Sequence, residues 1–293
     1  MYEDFKSDFK GTSAFERLSE LKLDVKYTKV PTLTVDHQGR LALNVALMPF
    51  LMQINYSYLF FQKIKDEDSR MYEIRQKMIP LIAFQRDPVT TSIAGLPVLY
   101  GLDRSEVEYA KLLSMNQMYF MMLHEIGHVE NGHIPGRQPN LKINSAEGSK
   151  EIEADIYAYC AMEKLDGLRR MDMVASIVAL LSFYKLVEEL ENKLCNREVS
   201  PAHTVFKNRL HLAKMSMRKL VSDFGSDTID KTSFDAVEEA SIQYMMYSLH
   251  PLGVVQQTFK GMSVDELQEL CNRYTDENIT KYLEENKDAA DNN

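Results

Sequence analysis

The sequence predicts an α+β fold, a small early β-sheet packed on a predominantly helical core. Three observations carry this prediction. Alternation with period two gives the strongest hairpin signal at residues 33–46. There Leu33 and Val35 alternate with threonines, and Leu41, Leu43 and Val45 alternate beyond the turn DHQG. From Pro49 onward the apolar spacing is helical over most of the chain. One stretch, VEYAKLLSMNQMYFMMLHEIGHVEN, is apolar around much of its later half, the pattern of a central, buried helix.

Taken in order, residues 1–21 read as an amphipathic helical lead-in with Phe5, Phe9, Phe15 and Leu18 on its apolar face. The stretch LKLDVKYTKVPTLTVDHQGRLALNV follows and holds the hairpin signal, with Gly39 supplying the turn and His37 as a solvated turn residue. The helical pattern then runs from Pro49 to about Phe84 through a charged surface patch, KIKDEDSR. A polar loop, QRDPVTTS, leads into a short apolar piece at 93–100 that can form one more strand. Ser105 followed by Glu108 reads as a capping box that opens the central helix. Gly132, Pro135, Gly136 and Pro139 end that helix and make a loop. A second helix from near Ser149 carries KEIEADIYAYCAMEKL, and the remainder is mostly helical, interrupted by NREVSPAH at 196–203. The tail ENKDAADNN is too polar to order. There is no internal repeat. The expected organisation is one domain over 1–288, with a strand-bearing lobe at 1–105, a helical lobe at 106–288 and a disordered tail at 289–293.

Composition narrows the function classes. The 293 residues suffice for a sizeable core without disulfides, and a net charge of −9 gives a nucleic-acid partner no support. Cys160, Cys195 and Cys271 are far apart and odd in number, which fits reduced, partly buried thiols in a cytoplasmic protein. MYEDFKSDFK has no apolar core and is not a signal peptide. Leu41–Gln62 carries no formal charge but is interrupted by Asn44, Pro49, Gln53, Asn55 and Ser57, while Met173–Tyr184 has only 12 residues. Neither is expected to span a membrane.

The chain has seven histidines, and three fall between His124 and His133. His124-Glu125-Ile126-Gly127-His128 is HExxH. Residues four apart share a helical face, so His124 and His128 can hold one cation, and imidazole nitrogen suits zinc. Glu125, beside the first ligand, can take a proton from a water at the metal as that water attacks a carbonyl. Two residues compete as third ligand. His133 stands five residues past His128, which turns it off the metal face, so it is expected to cap the helix end or line the cleft. Glu151, in EIEAD, begins the next helix. There Glu151 and Asp155 share a face while Glu153 points elsewhere. Glu151 can then bind the metal and Asp155 can hold a ligand histidine by its other ring nitrogen. Small Ala154 allows the two helices to approach closely.

HEIGHVENGH followed by EIEAD resembles the gluzincin metallopeptidases, and within them the branch of HtpX-like and CAAX prenyl proteases. The resemblance implies a zincin-like core with the active-site helix central, one Zn2+, and glutamate as third ligand. The branch also carries a later histidine followed six residues on by arginine, which falls here on His203 and Arg209 in SPAHTVFKNR. The branch places a proline after that histidine, whereas here Pro201 precedes it. By this resemblance His203 stabilises the developing oxyanion and Arg209 orients it or the substrate. The match covers residues 124–209. Lit-type phage-exclusion peptidases and ImmA-like peptidases are similar soluble groups.

The expected function is zinc-dependent hydrolysis of a peptide bond in a protein or peptide substrate. The substrate would lie as an added strand along an edge at 33–46 or 93–100. The methionines near the motif (Met115, Met118, Met121 and Met122) are expected to fill the core. The alternative is a non-catalytic, zinc-containing binding or regulatory module.

Overall fold

A computed structural model describes residues 20–28, 30–36, 40–86, 102–134, 147–163, 165, 167–194, 208–213, 215–216 and 261–272, with residues 7, 9–11, 16 and 259. Its elements are strands β1 (Lys22–Lys26), β2 (Leu33–Val35) and β3 (Arg40–Asn44), then helices α1 (Leu47–Lys63), α2 (Glu67–Arg86), α3 (Arg104–Glu130), α4 (Glu147–Met162), α5 (Gly167–Leu194) and α6 (Val264–Asn272). The fold is α+β, a small mixed sheet on a helical majority.

The three strands lie in the order β1-β3-β2. β2 and β3 form the expected antiparallel pair, with Leu33 opposite Leu43 and Val35 opposite Leu41. The sheet also holds β1, parallel to β3 with Leu23 beside Leu41. The hairpin pattern alone did not specify this pairing. Leu33 and Leu41 turn into the core, but Val45 lies past the end of β3 and is 43% exposed, so the alternation stops one residue earlier than expected. The turn residues His37 and Gly39, most of the 1–21 lead-in, the 93–100 piece, the 196–203 loop, His250, Cys195 and the 289–293 tail lie outside the described residues.

The helical pattern expected from Pro49 to about Phe84 is divided between two helices, α1 and α2, which meet at the charged patch. Ile64 adopts an extended backbone, and Asp66 restarts the chain by accepting the Ser69 N–H at 2.7 Å. The Arg70 guanidinium closes the break on the Ile64 carbonyl. Pro49 is tolerated because it stands in the first turn of α1, where no intrahelical N–H bond is needed.

The N-cap of the central helix α3 lies two residues before the expected one. Asp103, not Ser105, is the N-cap. Its carboxylate accepts the Glu106 N–H at 3.0 Å, and the Glu106 carboxylate accepts the Asp103 N–H at 2.7 Å. Two overlapping cap patterns exist in DRSEVE, and the ionised Asp103 takes the role while the Ser105 hydroxyl donates to it at 2.6 Å.

Buried residues from Phe9 to Leu267 join one hydrophobic cluster. A polar network crosses it. The Asn55 amide on α1 donates to Ser114 Oγ at 2.8 Å and to Gln117 Oε1 at 2.9 Å on α3. Gln117 donates in turn to the Ser176 carbonyl on α5 at 3.1 Å. These groups are fully buried, and each bond fixes the relative height of two helices, since sliding either would strand a buried polar atom. The polar interruption at Asn55 is therefore a fastening of α1 to α3. Among the described residues no helix is long and apolar enough to cross a membrane.

Candidate metal centre

Helix α3 delivers His124, Glu125 and His128, whose donor atoms all lie within 4.8 Å of one another. Helix α4 packs against α3 through its smallest residues. Ala154 is fully buried, and a Cβ built on Gly127 would stand 2.9 Å from both Ala154 Cα and Ala154 O. This contact brings the first turns of α4 over the motif.

The Nε2 atoms of His124 and His128 are 3.1 Å apart. The Glu151 carboxylate sits across them, Oε2 at 3.3 Å from His124 Nε2 and Oε1 at 3.4 Å from His128 Nε2. Zinc bonds of about 2.0–2.1 Å in a tetrahedral site place neighbouring ligand atoms about 3.3–3.4 Å apart, so this triangle fits one cation. The rear nitrogens give the same answer. His124 Nδ1 lies 2.8 Å from Asp155 Oδ1, a carboxylate that only accepts, so Nδ1 carries a proton, and in the neutral ring Nε2 is bare. When both imidazoles are neutral, electron pairs converge from three sides on a point between α3 and α4. Among the described residues, and with both imidazoles neutral, Glu125, Glu151 and Asp155 against the guanidinium of Arg209 leave two net negative charges there, which suits a dication.

Electrostatics follow from this crowding. Burial, then the neighbouring His124, hold the His128 imidazolium pKa down to about 4. Burial also works against a charged His124, but Asp155 and Glu151 outweigh it and raise its pKa, so without a metal the cluster gathers a proton at this pole. The hydrogen bond from His124 is the main cause holding the Glu151 carboxyl at about 2, against its own burial. Burial raises the Glu125 carboxyl above its ordinary value.

Arg209, on the helical stretch 208–213, was expected to orient His203 or the substrate. Among the described residues its guanidinium grips α4. Nε donates to Asp155 Oδ2 at 2.7 Å, Nη2 to Asp155 Oδ1 at 2.9 Å and Nη1 to Glu151 at 3.2 Å. Asp155 has no solvent exposure, so this paired fork is what allows its charge to be buried behind His124. His203 lies outside the described residues.

Three features were not foreseen. Glu125 Oε2 accepts the Val35 N–H at 2.9 Å, so the candidate base is tied to strand β2. The Thr32 carbonyl accepts the Asn44 N–H and the Asp36 N–H donates to the Arg40 carbonyl, so the even-numbered backbone groups face β3 and the Val35 N–H is left on the outer edge facing the motif. Glu153 does point away from the Glu151–Asp155 face, but it meets His133 at 2.9 Å. Lastly, α5 supplies a wall. A cavity of about 210 Å³ opens beside the motif, with His124, Glu125, Glu151 and Arg209 at its polar end. Phe120, Met121, Leu180, Leu181 and Tyr184 form its apolar side. Burial pushes the Tyr184 phenol up to about 12, so it stays neutral. Met118 and Met122 fill the core as expected, whereas Met121 faces the cavity. Cys160, expected to be partly buried, is exposed, and so is His211.

No protein-family model matches the chain, and neither a curated protein nor a solved structure does.

Proposed function

We propose that the chain is a zinc-dependent peptidase of gluzincin type, acting in the cytoplasm on a protein or peptide substrate. The observation that carries this reading is the 3.1–3.4 Å triangle of His124 Nε2, His128 Nε2 and the Glu151 carboxylate, with Glu125 beside it rather than in it. His124, His128 and Glu151 would hold the ion. When bound, zinc supplies Lewis acidity that polarises a carbonyl and acidifies water.

The chain's own groups do the rest. Glu125 keeps Oε1 for the water, takes its proton as the water oxygen bonds to the carbonyl carbon, and passes that proton to the departing amine. Its raised pKa suits a group that must both accept and return a proton. Asp155 fixes the His124 tautomer, and Arg209 fixes Asp155 and Glu151. The outer edge of β2 offers backbone groups to an extended peptide, and the cavity wall of Leu180, Leu181 and Tyr184 offers an apolar surface to one side chain. His203 keeps the oxyanion role that the resemblance implies.

One observation favours the alternative, a non-catalytic zinc module: the Val35 N–H already occupies one oxygen of Glu125. Replacing Glu125 by Gln separates the two readings. New protein termini in the host should appear with the wild-type chain and vanish with Glu125→Gln while the variant still binds zinc. Full biological activity in zinc-loaded Glu125→Gln would leave only the binding module.

A further inference from the structure

His133 is placed by the end of α3. Gly132 takes φ +69°, a left-handed conformation, and the chain turns back so that the His133 N–H donates to the His128 carbonyl at 2.9 Å and the Gly132 N–H to the Val129 carbonyl at 3.2 Å. The turn swings the His133 ring behind His128, where the two Nδ1 atoms meet at 2.9 Å. His133 Nε2 then lies 2.9 Å from Glu153 Oε2, and its side chain is only 4% exposed. His133 therefore stands on the opposite side of the His128 ring from the convergence point, and it is not a ligand.

We infer that His133 and Glu153 form a positioning relay that sets the tautomer and ring orientation of His128, as Asp155 does for His124. The inference rests on the metal reading above. The proton count leads to it. The Glu153 carboxylate only accepts, so a neutral His133 ring carries its proton on Nε2 and leaves Nδ1 bare. The His128 nitrogen facing that bare atom must then be the N–H, which frees His128 Nε2 for a metal. Reversing any one proton in this chain sets two donors or two acceptors against each other at 2.9 Å. Both ligand imidazoles are thus backed by a carboxylate of α4, directly for His124 and through one intervening imidazole for His128. The relay also explains the third histidine of the motif.

The test uses the full chain with zinc. Nitrogen-15 NMR of the histidine rings in the zinc-loaded wild type should show His128 protonated at Nδ1 and His133 protonated at Nε2. A His133 protonated at Nδ1 overturns the relay, and this readout needs no variant. His133→Leu should weaken zinc binding by about 10–100-fold in chelator competition, and Glu153→Leu by about tenfold. His133→Asn should restore most of the affinity, because its amide oxygen can accept from His128 as the bare nitrogen does. A purely structural role predicts instead that both His133 variants lose metal-free stability equally, with no recovery in His133→Asn. Zinc affinity in folded His133→Leu within about twofold of wild type overturns the relay alone. A wild-type chain that binds no zinc overturns the metal reading and the relay together.

Discussion

Replacing Gly127 by Ala tests how α3 and α4 meet. In an isolated helix this change stabilises by about 1 kcal/mol, because alanine loses less backbone entropy than glycine. Here the new methyl would stand 2.9 Å from Ala154 Cα, 2.9 Å from Ala154 O and 3.1 Å from Tyr157 Cβ. Carbon atoms in ordinary contact sit about 3.5–4.0 Å apart, so the helices must separate by about 0.5–1 Å. Two of the three obstacles are backbone or Cα atoms, which cannot rotate aside. Overpacking of this kind costs about 1–3 kcal/mol, which exceeds or cancels the helix-propensity gain. The larger effect falls on the site, because Glu151 and Asp155 ride on α4 beside Ala154. Ligand positions tolerate only about 0.2 Å of error, so a shift of half an ångström should lower zinc affinity at least about tenfold. Denaturant unfolding of the metal-free chain and chelator competition for zinc measure the two effects separately. A Gly127→Ala chain that gains about 1 kcal/mol and keeps its zinc affinity would refute the close approach of α3 to α4.

Other outcomes follow from the same geometry. Arg209→Met leaves the Asp155 charge buried without its guanidinium and should cost about 3–5 kcal/mol in denaturant unfolding. Arg209→Lys should recover only part of this, because an ammonium cannot reproduce the fork on both carboxylate oxygens. In metal-free protein the Glu151 carboxyl is held at about 2, so its stabilising contribution is present above the ordinary carboxylate range and is lost as pH falls through about 2. With its side chain 38% exposed, that contribution is about 1–2 kcal/mol after solvent screening, and Glu151→Gln should flatten the stability profile across this acid window. Gly132→Ala forces a side chain into φ +69° and should destabilise by about 1–2 kcal/mol in thermal unfolding while weakening zinc binding by displacing His133.

Much of the site could be read from spacing, because helical periodicity converts sequence separation into direction over one or two turns. His124 and His128 fall on one face of α3, and Glu151 and Asp155 on one face of α4, as residues four apart must. Contacts that cross between elements were another matter. Both Ser105–Glu108 and Asp103–Glu106 satisfy the cap pattern, and only the backbone position decides between them. HExxH carries no information about strand β2, so the bond from Val35 to Glu125, 90 residues apart in sequence, could not be read from it. Arg209 was found by its place in a motif, but Glu151 and Asp155, which it grips, lie on a helix more than fifty residues earlier.

By itself the sequence determined the period of each element, the chemistry of the donor set and the side of its helix on which each donor lies. Those are local properties, set by 3.6 residues per turn and by the valence of imidazole and carboxylate. The tertiary structure decided which side chains back the donors. It placed β1 in the sheet and joined α3 to α4 through Gly127 and Ala154. It also used the left-handed turn at Gly132 to bring His133 against the rear of His128 and onto Glu153. Each of these depends on how close two helices or two strands can come. That distance is set by the volumes of all the packed residues between them, which no single stretch of sequence contains.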